Sequence, residues 1–138
     1  MTAKLAELIA NDFGVAEDYN CAEKILYGAN QAYGLGLDMD TARIIAGFGG
    51  GCGMEEYCGA LAGALAVLSH YNVATVAHAS DIKALSKEFH ARYKEKMGSI
   101  VCADLKKAHR LPAPTGCKPV ILAAAEILDE MIVDLKHV

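Results

Sequence analysis

Apolar side chains recur at intervals of three and four residues along most of this chain of 138 residues. That spacing matches the period of an α-helix, and no segment alternates strictly between apolar and polar residues over the length of a strand. Glycine and proline stand between the periodic blocks, where they favour helix ends and turns. The sequence therefore predicts an all-α fold, in which one domain spanning residues 1–138 forms a bundle of about five to seven helices.

Several local signals place the helices along the chain. Asn20, followed three residues later by Glu23, is typical of a helix start with a capping box. Asp40 is predicted to cap a shorter helix that ends in the glycine-rich run 47–53, and the next helix is predicted to begin near Glu55 and to form a buried core helix. The other helices are predicted to start at Thr2, between Thr75 and Asp81, at Ser99, and between Thr115 and Pro119, with Gly14 and Gly98 as helix ends.

Charge and hydropathy narrow the classes of partner. The formal net charge of −4 provides no basic surface for nucleic acid or for an anionic membrane, so neither partner is expected. The longest apolar run, residues 59–69, is well short of the ~20 residues that a membrane-spanning helix needs. The N-terminus alternates apolar and charged residues and lacks the apolar core of a signal peptide. We therefore expect a cytoplasmic protein without membrane insertion.

Five cysteines are the main chemical feature of the sequence. The cytosol keeps thiols reduced unless they are catalytic, redox-sensing or metal-bound, so a structural disulfide framework is not expected. Four of the five fall near predicted helix starts: Cys21, Cys58, Cys102 and Cys117. At a helix start, free backbone N–H groups and the helix dipole stabilise a thiolate, which attacks disulfides and binds metals. This placement predicts a shared thiol site, provided that the four helix starts meet at one end of the bundle.

Other patterns around the cysteines are less specific. No two cysteines form C-x-x-C, so the thioredoxin-type motif and the usual zinc knuckles are absent. Gly59 and Gly63 predict close packing against another helix, and Gly59 is alternatively interpreted as room for a partner molecule at the Cys58 sulfur. His109 is a candidate metal ligand or base near the thiols, although a solvated helix end explains it better, and His90 is predicted to be solvated.

Taken in order, the cysteine motifs resemble a family of redox-active proteins defined by one cysteine, a C-G-A-x-x-G motif and two further cysteines. The matching segments are Asn20-Cys21-Ala22, Cys58-Gly59-Ala60-Leu61-Ala62-Gly63, Cys102 with Asp104-Leu105, and Gly116-Cys117. The resemblance covers nearly the whole chain from Asn20 onward. It implies a redox role for Cys21, Cys58, Cys102 and Cys117 without naming a substrate or an electron donor. Cys52 stands outside the family pattern.

Three functions remain open at this point. In the leading hypothesis the protein is a thiol–disulfide oxidoreductase or electron carrier, with Cys102 and Cys117 as the preferred pair and an unidentified protein or small molecule as its redox partner. In the second, Cys21, Cys58, Cys102 and Cys117 bind zinc or an iron–sulfur cluster, with Cys52 as a further candidate ligand or as a resolving thiol for Cys58. In the third, the thiols are inert and the helices form a structural subunit, such as a homo-oligomer.

Overall fold

The computed structural model describes residues 4–136, and within that range it contains seven α-helices and no β-strand. The helices are α1 (Lys4–Ala10), α2 (Cys21–Tyr33), α3 (Met39–Ala42), α4 (Gly59–Asn72), α5 (Ile82–Met97), α6 (Cys102–His109) and α7 (Lys118–Lys136). Shorter helical turns are Arg43–Phe48 with 3₁₀ geometry, the kinked Gly51–Glu55, and Ala77–Ala79. The predicted all-α fold is confirmed. None of these described helices is long and apolar enough to span a membrane.

The hydrophobic core surrounds α4, whose first six residues are all buried. α4 packs against α2, α5 and α7, while α1 packs against α2 and α7. A side chain on Gly63 would lie 2.9 Å from the carbonyl oxygen of Ala22, so the small residues of α4 let α2 approach its backbone. The predicted buried core helix and the predicted close packing at Gly59 and Gly63 are both confirmed.

The direction in which α2 and α4 run decides where the cysteines lie. Gly59 at the start of α4 lies against the Cys21 sulfur at the start of α2, and Gly63, one turn later, lies against Ala22 and Ile25. Contacts that advance together along both helices mean that the two helices are parallel. The connection of residues 34–58 makes this possible, because it returns the chain to the end where α2 began. A tight antiparallel hairpin would have separated the two helix starts by about 20 Å, the length of a helix of this size.

α6 and α7 begin at the same end of the bundle as α2 and α4. Residues 56–58, just before α4, pair with residues 100–102 through an isolated antiparallel bridge. Tyr33, at the end of α2, donates a hydrogen bond to Asp129 in the second half of α7, so α7 runs parallel to α2. α1 and α5 run in the opposite direction. The starts of four helices therefore share one end.

The predicted start of α2 and the predicted end of α5 are confirmed. The Asn20 side chain accepts the Glu23 N–H at 2.9 Å, and the Glu23 carboxylate accepts the Asn20 N–H at 2.8 Å, which completes the capping box. Gly34 and Gly98 cap the C-terminal ends of α2 and α5, and their φ angles of 63° and 90° suit glycine. Thr2, the predicted start of α1, lies outside the described residues.

Two predicted boundaries in the first third of the chain are wrong. α3 is capped by Asp38 rather than Asp40, because the Asp38 carboxylate accepts the Thr41 N–H at 2.8 Å. α1 ends at Ala10 and not at Gly14, because hydrogen-bonded turns replace the helix after Ala10.

The predicted starts of α4 and α6 are also wrong, for a shared reason. α4 begins at Gly59 rather than near Glu55, because the residues just before it are extended and paired with those that precede α6. The same pairing moves the start of α6 from Ser99 to Cys102. Both shifts bring a cysteine to the boundary of its helix.

Candidate thiol site

Four cysteines from the starts of four helices line one cavity of about 300 Å³. Cys21 is the first residue of α2, and Cys102 is the first residue of α6. Cys58 is the N-cap of α4. Cys117 directly precedes α7, where its carbonyl oxygen accepts the Ile121 N–H at 3.0 Å. The prediction that these four cysteines meet at one end of the bundle is confirmed.

The antiparallel bridge before α4 and α6 fixes Cys58 relative to Cys102. The Cys58 N–H donates to the Ile100 carbonyl at 3.0 Å. The Cys102 N–H donates to the Glu56 carbonyl at 2.5 Å. Side chains alternate between the two faces of extended backbone, so this register projects both cysteines to the same face of the bridge. Both thiols reach the cavity because of this pairing.

Two glycines make room for the sulfur-bearing side chains. A Cβ added at Gly59 would lie 2.7 Å from Cys21 Sγ and 2.5 Å from the Phe48 carbonyl oxygen. A Cβ added at Gly51 would lie 2.6 Å from Cys102 Cβ, and the φ of 62° at Gly51 also suits glycine. The room at Gly59 is therefore taken by the Cys21 thiol.

Burial controls the acidity of the two deepest thiols. Burial raises the pKa of Cys58 to about 12, although the N–H groups of Ala60 and Leu61 at the start of α4 favour its thiolate. Burial also raises the pKa of Cys102, and the nearby Lys106 ammonium opposes that rise. At Cys58 desolvation outweighs the stabilisation of the thiolate by the helix start, and at Cys102 burial is again the largest influence.

Cys21 and Cys117 are half-buried and are more accessible than the other two cavity cysteines. The Lys106 ammonium lies near Cys102 and Cys117, and it pairs with the Glu55 carboxylate at 2.9 Å. Glu55 raises the pKa of Lys106, and negative charge on Cys102 and Cys117 acts in the same direction. Lys106 is therefore placed to stabilise a thiolate at either of these two cysteines.

Cys52 does not line the cavity. Its side chain is exposed, and its φ of 61° places it in left-handed backbone within the glycine-rich run. Its suggested roles, as a further metal ligand or as a resolving thiol for Cys58, stay predictions.

Tyr57 and His90 position the segment before Cys58, and sequence reasoning missed both. The Tyr57 hydroxyl lies 2.5 Å from His90 Nε2, and His90 Nδ1 lies 2.6 Å from the Ser86 carbonyl oxygen. Because a carbonyl only accepts, Nδ1 carries the proton and Nε2 accepts from Tyr57. His90 is thus half-buried and bonded rather than solvated as predicted. The sequence gives no signal for a contact between residues 33 positions apart.

Tyr93 lies beneath the thiols. It is fully buried, and its hydroxyl donates to the Val120 carbonyl at 2.9 Å. Burial raises the pKa of Tyr93, and negative charge on Cys58, Cys117 or Cys21 raises it further. Its place next to the cysteines could not be inferred from the sequence, because it depends on how α5 packs against α7.

The cysteines are free thiols, and the metal hypothesis is untested. Within residues 4–136, no group of three or more histidine, cysteine or acidic side chains is arranged to hold a metal ion. His109, a candidate ligand or base, does not line the cavity, and its Nε2 donates to the Met97 carbonyl at 2.9 Å. Metal binding by the cysteines stays a prediction.

Comparison with known proteins identifies one family. No curated protein and no solved structure matches the chain. The sequence profile of a family described as "Putative redox-active protein (C_GCAxxG_C_C)" matches residues 19–131. That match covers most of the chain and includes all four cysteines of the cavity. The resemblance noted in the sequence is confirmed, and the chain belongs to the C_GCAxxG_C_C family.

Proposed function

We propose that the protein is a thiol–disulfide redox carrier in which two thiols of the cavity are reversibly oxidised to a disulfide. The observation that carries this proposal is the convergence of four cysteines, each from the start of a different helix, on one cavity. Cysteines that serve only as small apolar residues have no reason to share a cavity. Membership of a redox-active family supports the same class of chemistry.

Cys102 and Cys117 are the proposed redox pair. α6 contacts α7, and the loop between them is closed by the Leu111 N–H, which donates to the Gly116 carbonyl at 2.9 Å. Lys106 acts electrostatically on both thiols, so its charge favours the thiolate that either must form in order to react. This pair is also the one preferred from the sequence.

The proposed reaction moves two electrons. The thiolate of Cys117, the more accessible of the pair, attacks one sulfur of a disulfide-bearing acceptor, which forms a mixed disulfide and releases one acceptor thiol. The Cys102 thiol then loses its proton and attacks the Cys117 sulfur, which releases the second acceptor thiol. The protein pair has lost two electrons and two protons, and the acceptor has gained them. Reduction follows the same steps in reverse.

Cys58 is the cysteine least suited to attack. With a pKa of about 12 it is protonated at neutral pH, whereas thiol–disulfide exchange needs the thiolate. The Cys21 sulfur lies against Gly59, the residue after Cys58. In this proposal Cys21 and Cys58 form a second pair, which oxidises more slowly than the first.

The direct test counts free thiols in the reduced protein before and after a mild disulfide oxidant and maps the bonds by mass spectrometry. We expect the Cys102–Cys117 disulfide to appear first. Cys52→Ser is the matched control, because it changes an exposed cysteine outside the cavity and leaves the proposed pair untouched. Unchanged thiol counts at all four cavity cysteines would overturn the proposal and favour a structural subunit.

The rival function, a zinc or iron–sulfur site, is separated by metal analysis of protein purified without oxygen. Under the redox proposal the reduced protein is colourless and contains metal only in substoichiometric amounts. Stoichiometric zinc or iron that is lost when Cys102 and Cys117 are replaced by serine would favour the metal site instead.

A further inference from the structure

Among residues 4–136, the lining of the thiol cavity carries three basic residues and no acidic one: Lys24 on α2, Lys106 on α6, and Arg110 just after α6. This sign is opposite to the net charge of the whole chain, which is −4. Lys106 is paired with Glu55, whereas Lys24 and Arg110 form no salt bridge with any residue in the described part of the chain. Both cations therefore lack a salt-bridge partner, although Asp12 interacts with Lys24 and Glu55 with Arg110 over a longer distance.

The backbone adds to this positive potential. Four helices start at the cavity, and at two of these starts, those of α4 and α6, no side chain caps the free N–H groups. A helix start carries roughly half a positive elementary charge. Because the cations and the helix starts have the same sign, a negatively charged molecule in the cavity is favoured over a neutral or positive one.

The dimensions of the cavity limit what can enter it. Its volume of about 300 Å³ is small for a ligand pocket, and Cys117, the proposed attacking thiol, is half-buried in its lining. A disulfide on the surface of a folded partner protein approaches such a thiol less readily than a small disulfide, which can enter the cavity whole.

We infer that the redox partner of this cavity is a small disulfide that carries carboxylate groups, held by Lys24 and Arg110 with its sulfurs toward Cys117. This inference rests on the proposed thiol–disulfide function. Each turnover converts one molecule of the anionic disulfide into two molecules of the corresponding thiol, while Cys102 and Cys117 become a disulfide. The electrons and protons that the protein loses are those that the two product thiols gain, so no other oxidant is required.

Three symmetrical disulfides of similar length test the inference: dithiodiglycolate with two carboxylates, bis(2-hydroxyethyl) disulfide without charge, and cystamine with two ammonium groups. The rate at which each oxidises the reduced protein is divided by its rate with 1-thioglycerol, an uncharged thiol that differs from the thiols of all three probes, which corrects for the intrinsic reactivity of the probe. We expect the corrected rate to be about tenfold or more higher for dithiodiglycolate than for the uncharged probe, and to be lowest for cystamine. Salt should shrink this preference, because the screening length falls from about 10 Å at 0.1 M to about 3 Å at 1 M.

Two double substitutions test which basic residues cause the preference for dithiodiglycolate. Lys24→Gln combined with Arg110→Gln should reduce the preference for dithiodiglycolate to about threefold or less. Lys83→Gln combined with Lys87→Gln is the matched control, since it removes the same charge from exposed positions on α5 and should keep the preference. Circular dichroism checks that both variants fold. If the cavity variant does not fold, the salt dependence of the preference for dithiodiglycolate in the unmodified protein tests the inference instead.

The outcomes distinguish this inference from the proposed function. Equal corrected rates for the three probes, with the Cys102–Cys117 disulfide still forming, would overturn the anionic partner and leave the redox function standing. Oxidation by a disulfide-bearing protein but by none of the small probes would also overturn the anionic small molecule alone. If no disulfide oxidises any cavity thiol, both proposals are wrong.

Discussion

Helix starts are capped differently at the two ends of the bundle. At the end away from the cysteines, the first N–H groups of α1 are satisfied by a carboxylate: Asp129 accepts from Leu5 at 3.0 Å and from Ala6 at 2.9 Å. Tyr33 donates a third hydrogen bond to Asp129 at 2.5 Å. At the cysteine end, α4 and α6 start without a side-chain cap, and thiols lie where a carboxylate would otherwise be.

This difference separates a stabilising helix start from a reactive one. The Asp129 carboxylate is only 6% exposed, and a charge at that depth is tolerated because its oxygens accept several hydrogen bonds. A protonated thiol is neutral, so Cys58 and Cys102 can be buried without such compensation. The free N–H groups at the cysteine end are then available to stabilise negative charge that appears only during reaction.

The largest expected effect is at the reactive end. Cys117→Ser should abolish oxidation of Cys102 to an intramolecular disulfide, because the proposed attacking thiol is gone, while changing the free energy of unfolding by about 1 kcal/mol or less. Mass spectrometry of the oxidised protein and chemical denaturation measure the two quantities. Cys52→Ser is the control and should change neither. If Cys117→Ser loses stability but still forms a disulfide at Cys102, the prediction is contradicted, and Cys117 has a stabilising rather than a reactive role.

Alkaline pH should weaken the cysteine end through Cys58. Its pKa is raised in the folded state from 9.0 to about 12, so the stability that it contributes is fully present below pH 9 and is lost as the pH rises toward 12. The loss is on the order of 4 kcal/mol. Denaturation at several pH values should therefore show that the profile of Cys58→Ala falls less steeply between pH 9 and 12 than that of the unmodified protein. Parallel profiles for the two proteins would contradict this, and Cys52→Ala serves as the control.

At the opposite end, Asp129→Ala should lower the free energy of unfolding by about 2–4 kcal/mol, because the first N–H groups of α1 lose their acceptor in a buried environment. The rate of thiol oxidation in the folded protein should stay unchanged. Asp134→Ala, at an exposed position of α7, is the matched control and should have little effect. A large change in oxidation rate for Asp129→Ala would mean that the two ends are not independent.

The smallest effect is expected at Gly59, the glycine of α4 that packs against the Cys21 sulfur. Gly59→Ala should destabilise the protein by about 1–3 kcal/mol, because its Cβ would overlap Cys21 Sγ and the Phe48 carbonyl oxygen. The displaced Cys21 should also become more accessible to alkylating reagents. Gly47→Ala is the control, since a Cβ there meets no atom within 4 Å. Equal stability of the two variants would show that the backbone at Gly59 can move away without penalty.

The helices and the residues of the site could be predicted because their signals are local. The capping box of Asn20 and Glu23 and the glycine after α5 depend on residues within one or two turns. The same local signals place Cys21, Cys58 and Cys117 at or near helix starts. The residues of the candidate site could therefore be predicted, although their arrangement in space could not.

The arrangement of that site depends on contacts that no local pattern encodes. The parallel course of α2 and α4 follows from the path of residues 34–58, whereas a simple hairpin would have placed Cys21 and Cys58 at opposite ends. The bridge that pairs residues 56–58 with 100–102 moved two helix starts from their predicted positions. Desolvation, which reverses the expected effect of a helix start on Cys58, is likewise a property of the packed bundle.

The residues that line the cavity are remote from one another in sequence: the connection of residues 34–58 brings the starts of α2 and α4 together, and α6 and α7 supply the rest. No N-terminal portion of the chain can therefore form the cavity. During synthesis Cys21 and Cys58 leave the ribosome long before Cys117 and α7, and contacts between such distant segments form slowly. Until α6 and α7 dock, those thiols lack the part of the cavity lining that these helices and the loop between them supply. A nascent chain that ends before α7 contains every cysteine of the protein, yet it has neither the enclosure nor the converging helix starts that turn them into a site.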